Sequence, residues 1–212
     1  MLRILTSNDP HKRSHMTPGP ENLMKSSRYQ HLLLSLIVGS LLYQSAMAIS
    51  SEPGGDFTLT DHLGEAWSLQ NARGKVVLLV FGYTSCPDVC PTSLLTVQQV
   101  LGALGEQADS VQPLFVSVDP KRDTPAVMKN YLGYFHPSII GLSGELSMLK
   151  NISQHYRTSF GYSGDTDSSS YVVDHSSSLY VINEQGELTN IIPYGTPADI
   201  IVDSVKRLLP PE

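Results

Sequence analysis

Hydrophobic and polar positions divide the chain into alternating strand-like and helix-like segments. The clearest is Lys75 to Phe81, a near-continuous Val/Leu run of the kind that forms a central strand covered on both faces. Val97, Val100, Leu101 and Leu104 then recur at helical spacing, which predicts a helix over Thr92 to Leu104 packed on that strand. Val111 to Val118 reads as a second apolar strand. Thr124 and Pro125 follow as an N-cap and a proline at the first helical position, predicting a helix to about Phe135. Ser138 to Leu142 is expected as a short strand and Gly144 to Tyr156 as another helix. Phe160 to Tyr171 is rich in Gly, Ser and Asp, and is expected as an exposed, mobile loop leading into Val172 to His175. Ser178 to Asn183 and Glu187 to Pro193 read as antiparallel mates about a turn at Glu184-Gln185-Gly186. Thr196 and Pro197 repeat the cap-plus-proline signal before a last helix, Ala198 to Leu209. At the front, Phe57 to Thr60 and Ala66 to Leu69, joined by a turn at Asp61 to Gly64, look like a hairpin.

The succession strand, helix, strand, helix, strand pair, helix is that of a thioredoxin-like α/β sandwich, here with an N-terminal β-hairpin extension. The sandwich domain is expected over 56–212, after a small polar linker over 49–55. With 41% hydrophobic and 16% charged residues, the chain has the composition of one globular domain with a segment appended. That segment is 1–48. Lys25 and Arg28 precede an apolar run, Leu32 to Leu42, and Ala46-Met47-Ala48 follows, which is the order of a signal peptide with an Ala-x-Ala cleavage site. Translation is then expected to start at Met24 and the mature chain near Ile49. The alternative is a retained membrane anchor, because Leu32 to Ile49 is near the roughly 18-residue lower limit for a span.

Export changes the charge and the redox setting. From Ile49 onward nine Lys and Arg face eighteen Asp and Glu. So acidic a domain, with no basic cluster, is a poor nucleic-acid binder. An exported, periplasmic domain can form disulfides. The two cysteines, Cys86 and Cys90, have only three residues between them, however, and a bridge closing so short a loop restrains the unfolded chain little. They sit instead where the central strand turns into a helix. Residues i and i+4 face the same way on a helical turn, so both sulfurs can converge on one ion. Amides at a helix N-terminus favour thiolates, readying them as metal ligands or as nucleophiles.

Three blocks carry a specific resemblance: Phe81-Gly82-Tyr83-Thr84-Ser85-Cys86-Pro87-Asp88-Val89-Cys90-Pro91, then Val116-Ser117-Val118-Asp119-Pro120-Lys121-Arg122-Asp123-Thr124-Pro125, then Val173-Asp174-His175-Ser176. Together they resemble the Sco/SenC family of thioredoxin-fold copper chaperones, which help assemble the dinuclear copper centre of cytochrome c oxidase. The resemblance covers essentially everything after the leader. It implies that Cys86, Cys90 and His175 bind one copper ion and that Asp119 lies in a motif near the site. It also implies a copper-receiving oxidase subunit as partner, with an upstream copper donor or thiol reductant. Members usually keep their N-terminal helix as a membrane anchor, whereas this leader has a cleavage site. Soft thiolates suit Cu(I), and adding one imidazole makes a set that also accepts Cu(II).

Each residue also has a plainer reading. Asp119 could simply begin the proline-rich turn and cap the next helix. His62, His136 and His155 are expected at the surface, and Met128 and Met148 as core fillers. The alternative function is a thiol-disulfide oxidoreductase that uses Cys86 and Cys90 to reduce the copper-ligand cysteines of the oxidase subunit. Against a general reductase stand the extra residue between the cysteines and the sequence Ser176-Ser177-Ser178, where redox members of the fold carry a proline.

Overall fold

The computed structural model describes residues 52–168 and 170–210; the 1–48 leader and the start of the linker lie outside them. Seven strands form one sheet in the order β2-β1-β5-β4-β3-β8-β9, from β1 (Thr58–Asp61), β2 (Ala66–Ser68), β3 (Val76–Gly82), β4 (Val111–Ser117), β5 (Ile140–Ser143), β8 (Leu179–Ile182) and β9 (Leu188–Ile192). β6 (Phe160–Ser163) and β7 (Val172–His175) form a separate two-stranded sheet. The helices are α1 (Val89–Leu104), α2 (Pro125–Leu132), α3 (Leu146–His155) and α4 (Ala198–Lys206). This is the expected thioredoxin-like α/β sandwich. The front hairpin belongs to its sheet, because β1 pairs antiparallel with β5 as well as with β2. Among the described residues, no helix is long and apolar enough to cross a membrane.

Every residue of β3 is buried, as its Val/Leu run predicts, with β4 parallel on one side and β8 antiparallel on the other. α1 and α4 pack together, burying Leu94, Val97 and Leu101 from one and Ile201 and Val205 from the other. α2 rests on β5 so closely that a Cβ on Gly141 would meet the Leu132 side chain at 2.5 Å. Strand register then decides what gathers at one end of the sheet. Gly82, the last residue of β3, pairs with Ser117, the last of β4, and antiparallel Val80 pairs with Leu179, the first of β8. The segments after β3, after β4 and before β8 therefore emerge at the same edge, where α/β sheets commonly bind ligands.

Several local expectations are corrected. Phe160 to Tyr171 is not one exposed loop: Phe160–Ser163 pairs with Val172–His175, and Tyr171 is buried. Its Gly and Ser content hid an alternation of aromatic residues, Phe160 and Tyr162, against small ones. α1 begins at Val89 instead of Thr92, which a proline at 91 tolerates because it lies in the first turn. Thr124 does cap α2, accepting from Val127 N–H at 3.4 Å, with Pro125 beside it. Thr196 does not cap α4; its hydroxyl donates to the Pro193 carbonyl at 2.7 Å. Within the expected linker, Gly54 N–H donates to His155 O at 2.8 Å and Gly55 O accepts from Tyr156 Oη at 2.9 Å. His62 is half-buried, accepting from the Gly141 N–H at 3.1 Å through Nδ1. Met128 fills the core, but Met148 is 43% exposed on the outer side of α3.

Candidate metal centre

Cys86 and Cys90 follow β3 directly, and both are free thiols. Cys90 stands in the first turn of α1 and is only 1% exposed; Cys86 precedes the helix and is half-buried. Gly82 makes the close approach of helix to strand feasible. A Cβ there would lie 2.8 Å from Cys90 Sγ and 2.8 Å from the Phe115 ring, so any side chain would displace the sulfur or the ring. His175 comes from the end of β7. Its Nε2 lies 3.3 Å from Cys90 Sγ, and the donor atoms of Cys86, Cys90 and His175 are all within 4.8 Å of one another. One ion with bonds of roughly 2.0–2.3 Å spans such a set after a slight closing of the ligands.

The two thiols differ electrostatically. Burial opposes ionisation of Cys86, but N–H groups of Asp88, Cys90 and Val89 and the Cys90 thiol point at its sulfur and bring it below the ordinary thiol value. Asp88 heads α1 without a side-chain cap, which leaves those first-turn amides for the sulfur. Cys90 is pushed well up, chiefly by burial, with the neighbouring Cys86 and Asp123 charges adding to it. The helix terminus therefore activates one thiol, not both. The imidazole is oriented from behind: His175 Nδ1 is 2.9 Å from the Ser176 carbonyl, which can only accept. Neutral His175 thus carries its proton on Nδ1 and presents a lone pair on Nε2 to the sulfurs, the usual arrangement behind a metal-bound histidine.

Asp119 is fully buried and does not reach the sulfurs. It forms a short ion pair with Arg122 Nε and accepts from the Tyr171 hydroxyl. Asp123 is buried beside it and binds the cysteine segment, accepting from Thr84 N–H at 3.0 Å and from Thr84 Oγ1 at 2.6 Å. Arg122 stacks over Tyr171 at 3.7 Å and stands 5.5 Å from the Tyr83 ring. Tyr83 in turn meets His175 edge to face at 5.7 Å. Reading the chain by pattern assigned no role to Tyr83, Thr84, Arg122 or Asp123. The available signal was three charges in four residues, Lys121 to Thr124 included, directly after a buried strand. His136 and His155 stay away from the centre, as expected.

Fold and site define a thioredoxin-like protein whose cysteine pair and distant histidine form a group able to hold a metal ion. The chain belongs to the SCO1/SenC family, whose sequence profile matches residues 46–210. It is 41% identical over 135 residues to an SCO2-like protein of Rickettsia felis, covering 63% of this chain and 66%, just under two thirds, of that relative. Over 217 residues it is 34% identical to the mitochondrial SCO2 homolog of Bos taurus, covering 90% of this chain and 82% of the relative. Among solved structures, copper-bound ScoI of Bradyrhizobium japonicum superposes with a TM-score of 0.68 at 39% identity, covering 74% of this chain and 99% of that one. Copper-bound yeast Sco1 gives 0.68 at 36% identity, covering 75% and 91%.

Proposed function

We propose that the protein is an exported copper chaperone that binds one Cu(I) or Cu(II) ion through Cys86, Cys90 and His175 and passes it to the copper-receiving subunit of cytochrome c oxidase. The convergence of those three donor atoms within 4.8 Å, at one edge of a thioredoxin-like sheet, carries this reading. Family membership and the copper-bound relatives support it. Two thiolates favour Cu(I), the imidazole extends the set to Cu(II), and half-exposure of Cys86 leaves the ion a side from which a partner's ligands can approach. On this reading Asp119 acts from behind the ligands, through Tyr171, and periplasmic targeting or membrane attachment belongs to the 1–48 leader. Anaerobic copper titration of the wild type and of Cys86→Ser, Cys90→Ser and His175→Ala tests it. One equivalent bound by the wild type and loss in the cysteine variants are expected; His175→Ala binding Cu(I) and Cu(II) as tightly as the wild type would overturn the three-ligand site.

A second reading is favoured by the asymmetry of the thiols. A half-buried Cys86 with a lowered pKa and a buried Cys90 with a raised one suit an attacking and a resolving cysteine. The dithiol would then reduce a disulfide of the oxidase subunit, becoming a Cys86–Cys90 disulfide as the client's two cysteines gain the electrons. Wild type that binds no copper yet reduces an oxidised oxidase fragment would establish this reading in place of the first.

A further inference from the structure

The connection between β4 and α2 touches both halves of the centre. Inside it, Asp119 O accepts from Arg122 N at 3.2 Å and Asp123 N at 3.0 Å, while Asp119 N donates to Ser117 Oγ at 3.0 Å and that hydroxyl donates to Asp123 Oδ2 at 2.6 Å. The turn is thus cross-braced by buried bonds. On one side it holds the cysteine segment, through Asp123 to Thr84 and through Val118 N–H to Gly82 O at 2.8 Å. On the other it holds the β6–β7 hairpin: Val118 O accepts from Tyr162 Oη at 2.6 Å, Arg122 Nη1 donates to Tyr171 O at 2.9 Å, and Asp119 accepts from Tyr171 Oη. Among the described residues the hairpin has no strand partner in the main sheet, and a two-stranded ribbon is marginal by itself. Side chains from this turn therefore do much of the work of fixing His175, four residues beyond Tyr171.

We infer that the turn Val118–Asp123 is a brace setting the distance between the two halves of the centre, with Asp123 positioning the cysteine segment and Arg122 positioning the histidine hairpin. The two anchors differ in their polar partners, since Asp123 binds residue 84 and Arg122 binds residue 171. The longer contact of Arg122 with the Tyr83 ring, 5.5 Å to its centre, is left in place by Tyr171→Phe, which loosens the hairpin alone. Arg122 is required as arginine because its fork donates to Asp119 and to Tyr171 O at once while its plane stacks on the Tyr171 ring. A lysine keeps the charge beside buried Asp119 but cannot make both contacts. This inference rests on the ligand set proposed above, so its main readouts are taken on metal-free protein.

The test compares Arg122→Lys, Tyr171→Phe, Asp123→Ala and Asp123→Asn with the wild type. Amide hydrogen exchange over 172–175 reports the hairpin, and the iodoacetamide reaction rate of Cys86 reports the cysteine segment. Arg122→Lys and Tyr171→Phe are expected to speed exchange in the hairpin with β3 still protected and Cys86 reactivity unchanged. Asp123→Ala is expected to change Cys86 reactivity with hairpin exchange unchanged, and Asp123→Asn, which keeps an acceptor for Thr84, to restore it. With copper added, Arg122→Lys should lose the nitrogen signature from the Cu(II) electron paramagnetic resonance spectrum and about 10- to 100-fold in affinity while retaining both sulfurs. Hairpin protection intact in both Arg122→Lys and Tyr171→Phe, or all variants loosening both halves alike, would overturn the brace. Wild type lacking the nitrogen signature, with the metal-free results as expected, would instead overturn the ligand set and leave the brace standing.

Discussion

The cysteine segment and the histidine hairpin bring ligands to the same place from unlike foundations. Cys86 stands between the fully buried β3 and a helix of 16 residues and Cys90 in that helix's first turn, so backbone ladders and core packing fix them from both ends. His175 ends a hairpin whose outer face is open, with Val172 53% exposed, and whose attachment runs through side-chain hydrogen bonds and the Arg122–Tyr171 stack. Elements held that way open locally at lower free energy than core strands do. On the copper-chaperone reading proposed above, this difference would let the cysteines capture the ion and the histidine arm release it.

The largest expected effect separates the two regions directly. Cys90→Ser should abolish Cu(I) binding, whereas His175→Ala should keep a weakened two-sulfur Cu(I) site and lose stable Cu(II); competition with a chromophoric Cu(I) chelator and Cu(II) absorption spectra measure both. Equal losses in the two variants would end the division of labour. Next comes packing. Gly82→Ala should cost about 1–3 kcal/mol in urea unfolding, because the new methyl meets Cys90 Sγ and the Phe115 ring, each at 2.8 Å. Gly161→Ala in the hairpin meets nothing within 4 Å and should change stability by less than about 0.5 kcal/mol.

Proton release sharpens the comparison further. Loading copper must remove the thiol protons, so affinity rises with pH and is lost as pH falls. Cys90, raised by burial, stays protonated across the neutral range and contributes about tenfold per pH unit throughout. Cys86, burial notwithstanding, is lowered by the amides facing it, so its share fades first as pH rises toward its depressed value. The thiols' share of the slope of log affinity against pH, read in His175→Ala with Cu(I), should therefore fall from near two towards one, and a share rising with pH would contradict this assignment. The smallest effect belongs to Lys121→Ala. Its pair with Asp167 is largely exposed, so hairpin stability should change by less than about 1 kcal/mol and the difference should shrink with added salt, as exchange at 166–168 would show.

The sequence by itself determined the strands, the helices, the α/β order and the position of the dithiol. Those rest on local pattern: the apolar run at Val76 to Phe81, the cap at Thr124, the helical spacing of Val97 to Leu104. It was weaker where one residue's neighbours come from far along the chain. Phe160 to Ser163 became a strand only because Val172 to His175 lies beside it, and Met148 is exposed because of the side of α3 on which it falls. The resemblance named His175, but only tertiary structure showed its Nε2 against Cys90 Sγ from 85 positions away, Ser176 O setting the imidazole tautomer, and one turn reaching Thr84 and Tyr171 together. The physical reason is register: β3, β4 and β8 align so that three distant segments leave the sheet at one edge, and no local periodicity encodes that alignment. Sequence placed two thiols at a strand end and, through the family resemblance, pointed to His175; the fold brought that histidine to the sulfurs and supplied the brace behind it.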